Sequence, residues 1–430
     1  MTGPPATSGT PAMPAPPDAE RLARAALTYL AEPGDPALGA LLAICEPAEL
    51  LAAIQAGTLP AISEVGRAAL SRALGRWQIR LPKLPAGAGI ADAGRDGIRV
   101  ICPGDAEWPT PLDQLGQARP YALWLRGNAD LRFACARSVS VVGSRAATSY
   151  GGHIAGELAA DLGERGWTVV SGGAYGIDAA AHRGALAAEG VTIAVLACGV
   201  DYPYPAGHAD LFAAVAAQGL LASEWPPGAR PARTRFLIRN RVIAAIACGT
   251  VIVEAGERSG ALNTARHAAE LGKPLMAVPG PVTSAQSAGC HRIIREWAAT
   301  CVTRATEIIE LLSPLSVPDA LAPGGGADPD AWPQGQGRLS RDDGVLFRDD
   351  GVLSRDDGGM FRDGDRVSRD NLDADSARVL DALPTRGGAG TSTIAVEAGV
   401  DLDTVLRCLG ELAGLGFIER CDRGWRLRRH

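Results

Sequence analysis

Five arginines fall within twelve residues, at Arg230, Arg233, Arg235, Arg239 and Arg241, with no aspartate or glutamate among them. A guanidinium fork matches the oxygens of a phosphate, and surface arginines ordinarily alternate with carboxylates. The stretch therefore reads as a surface that tracks phosphates, the alternative being a solvated charged face. Four further turns carry matching chemistry. Gly143-Ser144-Arg145 precedes Thr148 at the opening of a helix, where backbone amides and the helix dipole suit an anion. There Gly143 lets a phosphate approach the backbone, Ser144 and Thr148 donate hydrogen bonds, and Arg145 supplies a cation; a plain tight turn capped by Thr148 is the alternative. Ser171-Gly172-Gly173-Ala174-Tyr175-Gly176-Ile177-Asp178 makes a second cradle, in which Asp178 holds Arg145 or a nearby amide. Tyr202 and Tyr204, flanked by Pro203 and Pro205, either stack on a base or pack beneath their loop. In the turn after Glu254, Ser259 and Gly260 offer groups to an anion while Glu254 orients arginines; Pro279-Gly280-Pro281 and Ser287–His291 complete the rim.

Other chemistries find less support. The first turn is not a Gly-x-Gly-x-x-Gly, which counts against a dinucleotide cofactor, and no cofactor is expected. The six histidines lack metal-binding spacing, so no metal site is expected. No Gly-x-Ser-x-Gly and no cysteine–histidine pair at readable distance point to a nucleophile. Asp178 has no evident carboxylate partner for acid–base work. The nine cysteines are scattered without a Cys-x-x-Cys, as in reduced thiols of a cytoplasmic protein. No run of eighteen apolar residues is present, so no membrane-spanning helix is expected.

The elements that must position these turns follow a regular beat from 98 to 312. Apolar runs at Val139–Val142, Thr168–Val170, Thr192–Leu196, Leu220–Ala222, Val251–Val253 and Leu275–Val278 read as strands. Stretches from Tyr150, Ile177, Ala209, Arg239 and Ala261 read as the intervening helices. Continuous apolar strands joined by helices imply a parallel sheet covered on both faces, a doubly wound α/β domain. Such sheets bind ligands beyond the carboxyl ends of their strands, where the turns above fall.

The flanks read differently. Residues 1–18, rich in Pro, Ala and Thr, lack the pattern of a signal peptide and read as a disordered tail. Residues 19–80 carry helical spacing, with Leu22, Ala25, Ala26 and Tyr29 on one face, and form a small all-helical domain. Residues 81–97 read as a linker. From 313 to 375 Pro, Gly and Asp dominate, and a heptapeptide of the form Ser-Arg-Asp-Asp-Gly-Val-Leu recurs from Ser340. A glycine and a charge cluster in each unit argue against a coiled coil, leaving a disordered linker. Residues 376–430 give three helices, Ser376–Leu383, Ser392–Ala398 and Leu402–Ala413, then a hairpin turning at Asp422–Gly424. That is the pattern of a winged helix-turn-helix, which serves either duplex DNA or protein contacts.

Taken in order, Gly143-Ser144-Arg145, Ser171–Asp178, Asp201 with Tyr204-Pro205, Ser223-Glu224, Arg239-Asn240-Arg241, and Val253-Glu254-Ala255 with Ser259-Gly260 resemble the DNA-processing protein A (DprA/Smf) family across 98–312. The front end resembles that family's helical, SAM-like domain and the tail its winged helix. The resemblance implies an extended Rossmann-like domain without catalysis that binds single-stranded DNA during natural transformation, protects it, helps load the RecA recombinase, and acts as a homodimer. Carried over by motif, Arg145, Ser171, Gly172, Arg239, Asn240, Arg241 and Lys273 would face the DNA backbone, with Gly143, Ser144, Gly173, Arg233, Arg235, Ser259 and Gly260 completing the DNA-binding set. Leu237 stands where the family usually has proline, and His208 and His291 where asparagine is common. The rival reading is an enzyme, because Cys248–Glu254 resembles the signature of nucleoside-monophosphate phosphoribohydrolases, with Cys248 interrupting its glycine run.

Net charge of −6 would discourage a nucleic-acid ligand, but its distribution matters more. Residues 338–376 hold seven arginines and eleven aspartates, whereas 138–312 hold fourteen basic and fourteen acidic groups. Aromatics are 5% of the chain, so no long stacking platform is expected. Phosphates would carry most of the affinity and binding would be salt-sensitive.

Overall fold

A computed structural model describes residues 18–62, 65–313, 372–384, 388–421 and 424–428. The expected N-terminal tail, apart from Asp18, the heptapeptide repeats of the linker, and the hairpin turn at 422–423 lie outside the described residues.

One sheet of nine strands organises the molecule: β1 (Ile98–Ile101), β2 (Leu123–Arg126), β3 (Ser138–Val142), β4 (Thr168–Ser171), β5 (Thr192–Leu196), β6 (Leu220–Ser223), β7 (Gly249–Ile252), β8 (Leu275–Ala277) and β9 (Thr300–Cys301). Their order is β1-β2-β6-β5-β4-β3-β7-β8-β9. From β6 to β9 all neighbours are parallel, while β2 pairs antiparallel with both β1 and β6. The sequence predicts a parallel sheet; the structure adds an antiparallel edge, whose strands β1 and β2 have no α-helix between them to mark them in the sequence. The chain winds outward from β3 to β6 in one direction, then from β7 to β9 in the other. The order therefore reverses between β3 and β7, where open α/β sheets form a crevice.

Residues alternate in facing along each strand. Val139, Val141, Val169 and Val251 pack under α7 (Ser149–Glu164), α8 (Ile177–Ala187) and α13 (Ala305–Leu312). Val142, Val170, Val195 and Ile252 meet α10 (Arg233–Ile246), α11 (Ala261–Glu270) and α12 (Ala288–Glu296). Ser138 and Ser140 face the same side, and Ser140 Oγ donates to the Ile243 carbonyl at 2.8 Å. A third apolar cluster joins α9 (Ala209–Gln218) to Val100, Trp124, Leu196 and Leu221. Residues 81–97, expected as a linker, instead fold as short helical turns and α5 (Ile90–Arg95), with Ala88 and Ala93 buried in that cluster. A six-residue helix, α6 (Leu131–Ala136), leads into β3.

The front end contains α1 (Asp18–Leu30), α2 (Pro36–Leu42), α3 (Pro47–Ala56) and α4 (Arg67–Arg80). Asp35 caps α2, its carboxylate accepting from the amides of Ala37 and Leu38, with Pro36 at the first helical position. Leu27, Leu38, Leu41, Leu50, Ile54 and Trp77 close a core that also takes in Tyr121. Polar contacts lock this unit to the sheet: Trp124 Nε1 donates to Thr28 Oγ1 at 3.2 Å, and Tyr121 Oη to the Glu32 carbonyl at 3.0 Å. The C-terminal end contains α14 (Ala374–Asp381), α15 (Thr391–Ala398), α16 (Leu402–Gly414) and the hairpin β10 (Ile418–Cys421) and β11 (Gly424–Leu427). Val379, Ile394, Val405, Leu409 and Leu412 form its core. No described helix is long and apolar enough to cross a membrane.

Glu32 links the front end to the α/β domain through several charged and polar partners. Its carboxylate accepts from Arg235 (Nε at 3.1 Å, Nη2 at 2.7 Å), from Arg80 Nη2 at 3.2 Å and from Trp225 Nε1 at 2.9 Å. Burial works against the charged form, but the Arg235 and Arg80 guanidinium groups outweigh it and hold the carboxyl well below the usual carboxylate range. Removing one member of a buried pair leaves the others uncompensated, so Glu32→Gln should lower unfolding free energy by about 2–3 kcal/mol at neutral pH, somewhat less than for a fully sealed pair. Because the folded pKa lies below the unfolded one, this contribution is present above the unfolded value and fades as pH falls through the folded one. Urea unfolding from pH 7 down to 3 should show wild type and Glu32→Gln converging from about pH 4 downward; a constant gap would show that charge is not the cause.

Candidate nucleic-acid interface

Helix α10 begins at Arg233 and not at Arg239, and this change in start reorganises the arginine stretch. Arg239, Asn240 and Arg241 lie on its buried side, at 4%, 7% and 6% exposure. Arg239 reaches through the sheet end, donating from Nη1 to the Gly172 carbonyl at 2.7 Å and to the Val195 carbonyl. Burial pulls its guanidinium down to about 10, with Asp178 opposing, so it stays charged at neutral pH. Asn240 Nδ2 donates to the Gly260 carbonyl at 3.3 Å and to Asn263 Oδ1 at 3.2 Å. Arg241 Nη2 meets Glu224 Oε1 at 2.6 Å. None of the three presents its side chain to solvent as a phosphate contact requires.

The glycines of the predicted cradles have packing roles. A Cβ at Gly172 would overlap the Arg239 guanidinium, and one at Gly143 would come within 2.8 Å of the Glu254 carbonyl and 2.6 Å of Ile177. Gly173 (φ +74°) backs onto Phe212, and Gly176 (φ +79°) onto the Ser144 carbonyl. The turns after β3, β4 and β7 thereby interlock, with the Ile177 amide donating to the Ser144 carbonyl and the Ser144 amide to the Glu254 carbonyl at 2.7 Å. Ser144 Oγ accepts from the Ala146 amide at 3.2 Å. Ser171 is fully buried and its Oγ donates to the Val141 carbonyl.

Glu254 was expected to orient arginines; it does not. Its two oxygens accept from the Thr148 amide at 2.9 Å and Thr148 Oγ1 at 2.6 Å, while Thr148 Oγ1 accepts from the Gly151 amide. A carboxylate of the chain itself thus occupies the α7 start, where the sequence predicts a phosphate; a negative group there is favoured by the helix dipole. Asp178 accepts from the Ala174 amide at 3.3 Å, which fits the amide half of its expected role. Burial raises its pKa, opposed by Arg239 and by the amides of Ala174 and Gly143. Lys273 precedes β8, at the end of the sheet away from these turns. Its Nζ donates to the carbonyls of Ala245 and Ala247, capping the end of α10.

Arg235, read from the sequence as lacking an acid, is held by Glu32 from two hundred residues away and lies over the Trp225 ring at 5.5 Å. Arg230 and Arg233 remain exposed; Asp381 lies close to Arg233. Arg145 is exposed as well, its guanidinium 4.6 Å from the centre of the Phe236 ring. Phe236 in turn lies 5.8 Å from Tyr204. Tyr204 and Tyr202, on the loop after β5, are 42% and 39% exposed, and Tyr175, on the loop after β4, is 51% exposed. Tyr175 stands edge-on to His208 at 4.5 Å, and buried His208 holds the Gly173 carbonyl. His291 Nε2 meets the Gly280 carbonyl at 2.9 Å, and Leu237 is half exposed. Ser259 Oγ accepts from the Ala261 amide at the α11 start, with Gly260 exposed beside it.

The carboxyl ends of the strands therefore carry a cation and a short run of aromatic faces. Tyr175 and Phe236 had no role in the sequence reading. The available signal was an aromatic lodged within an arginine run, which becomes meaningful once the α10 start is known. Among the described residues, no group of three or more histidines, cysteines or acids is gathered as for a metal.

The profile of the DNA recombination-mediator protein A family matches residues 99–313. A putative DNA processing protein DprA of Mycobacterium tuberculosis is 44% identical over 345 residues, covering 78% of each chain. The DNA processing protein DprA of Bacillus subtilis is 32% identical over 254 residues, 59% of this chain and 83% of its own. Among solved structures, DNA processing protein A of Streptococcus pneumoniae superposes with a TM-score of 0.54 at 27% identity, covering 69% of this chain and 98% of that one. With its interlocked turns and its switch point between β3 and β7, this chain belongs to the DprA/Smf family of DNA-processing proteins.

Proposed function

We propose that the chain binds single-stranded DNA without catalysis across the surface formed by Arg145, Phe236, Tyr204, Tyr202 and Tyr175, and that as a homodimer it protects the strand and loads RecA recombinase on it during natural transformation. The contact of Arg145 on Phe236, itself beside Tyr204, carries this reading. Every base offers a π-face, so exposed aromatics bind unpaired strands with little sequence preference, while nearby arginines neutralise phosphates. Arg230, Arg233 and the exposed Ser259–Gly260 turn extend the cationic and amide-bearing rim. The buried members, Arg239, Asn240, Arg241, Ser171, Gly172 and Gly173, act by fixing the turns and α10, and Lys273 by fixing the other end of α10. Dimer and RecA contacts follow from the family resemblance.

The enzyme reading is weaker on one observation. Glu254, the glutamate of the signature it resembles, is 1% exposed and both its oxygens are committed to Thr148. Incubation with AMP should release no adenine above the uncatalysed background.

Binding of labelled oligo-dT across a salt series separates the roles. Arg145→Ala should lower affinity and reduce the salt slope by about 0.7, the value for one phosphate contact on a single strand. Phe236→Ala should lose about 1–3 kcal/mol of affinity with the slope unchanged. If both bind like wild type, the surface is misassigned. Arg239→Ala should keep the wild-type slope but unfold earlier, by about 2–4 kcal/mol, because it strips donors from buried carbonyls; a reduced slope at unchanged stability would instead place Arg239 on the strand. Stimulation of strand-dependent ATP hydrolysis by RecA should be lost in Arg145→Ala.

A further inference from the structure

The C-terminal segment rests on the start of the helix that bears the arginines. Asp381, the last residue of α14, accepts through Oδ2 from the amide and the hydroxyl of Thr234, both at 3.4 Å. Its partners also include the backbone and the charge of Arg233. A second contact lies nearby: Gly399, which ends α15 in the left-handed region (φ +64°), sits so close to the Arg80 guanidinium that a Cβ would come within 2.7 Å. Arg80 and Arg235 share Glu32. The segment thus spans the seam between the front end and α10.

The third helix of this segment, α16, is the one a winged helix would offer to duplex DNA. Its exposed apolar residues are Leu402 and Leu406, and Asp403 lies in its first turn. Arg407 on the same helix is paired with Glu411 at 3.0 Å. That surface lacks the unpaired cations needed for phosphates.

We infer that the C-terminal segment is an internal brake on strand binding: the Asp381 carboxylate lies on the Arg233–Thr234 start of α10, and a strand must displace it to use that part of the surface. The inference rests on the single-stranded DNA reading above. Hydrogen bonds of 3.4 Å are long and individually weak, so a phosphate arriving with several contacts can compete. Asp381 carries the same sign of charge as a phosphate, and a negative group is favoured at a helix start whichever source supplies it.

The test uses the full chain and fluorescein-labelled oligo-dT, read by anisotropy at fixed salt. Asp381→Ala and the isosteric Asp381→Asn should each tighten binding by about two- to fivefold, the range of one surface-exposed charged contact at a helix end. Asp375→Asn removes the same charge from the same helix, where its partner is Arg378, and should stay within about twofold of wild type. The inference is overturned if neither Asp381 variant binds more tightly than Asp375→Asn. If wild type binds the strand and the Asp381 variants bind no better, only the brake fails. If no form binds, the reading beneath it fails too.

Discussion

Everything about this surface depends on one carboxylate. Glu32 draws Arg80 from the helical front end, Arg235 from the first turn of α10 and the Trp225 indole into a single hydrogen-bonded knot. It fixes where α10 begins relative to the sheet. A helix placed there turns Arg239 and Arg241 inward and leaves Phe236 half-buried beneath Arg145. The four-helix front end is therefore part of the α/β domain's construction: its core shares Tyr121 with the stretch leading into β2, and its polar contacts reach β2 and α10.

Charge inside the domain is used as scaffolding. Arg239 ties the ends of β4 and β5 together, Glu224 neutralises Arg241, and Glu254 fills the start of α7. Buried ions of this kind contribute little net stability when made but cost several kcal/mol when half removed, which suits a structure that must hold loops at fixed separations. The glycines serve the same end. Gly143, Gly172 and Gly151 each leave room that a neighbouring group fills, so the crevice at the switch point is a packed floor and ligand chemistry is moved to its rim.

What remains for a ligand is small: exposed guanidinium groups at Arg145, Arg230 and Arg233, aromatic faces at Tyr175, Tyr202 and Tyr204, and the half-buried Phe236. A short stacking patch within a domain of zero formal charge agrees with the low aromatic content and with the even balance of fourteen basic and fourteen acidic groups over 138–312. Such a surface gains affinity from extent along a polymer more than from any single pocket.

The sequence by itself determined the layered α/β architecture and the position of six of the sheet's nine strands, β3 to β8. Buried parallel strands must be continuous apolar runs, and β3 to β8 begin and end within two residues of those runs. It also determined the three helices and hairpin of the C-terminal segment, whose periodicity is local. The antiparallel pair β1–β2 was not legible, since no α-helix lies between its strands to supply the alternating strand–helix beat that marks the others. Nor was the packing of 81–97, because small residues such as Ala88 and Ala93 mark a linker and a tight interface equally well. Only the tertiary structure decided which arginines face outward. The stretch 230–241 holds no acid of its own, yet Glu32 and Glu224 arrive from elsewhere in the chain, Asp381 from its far end, and backbone carbonyls take Arg239. Local spacing records what a residue can do; whether its charge is spent inside the fold depends on partners brought together only when the chain has closed on itself.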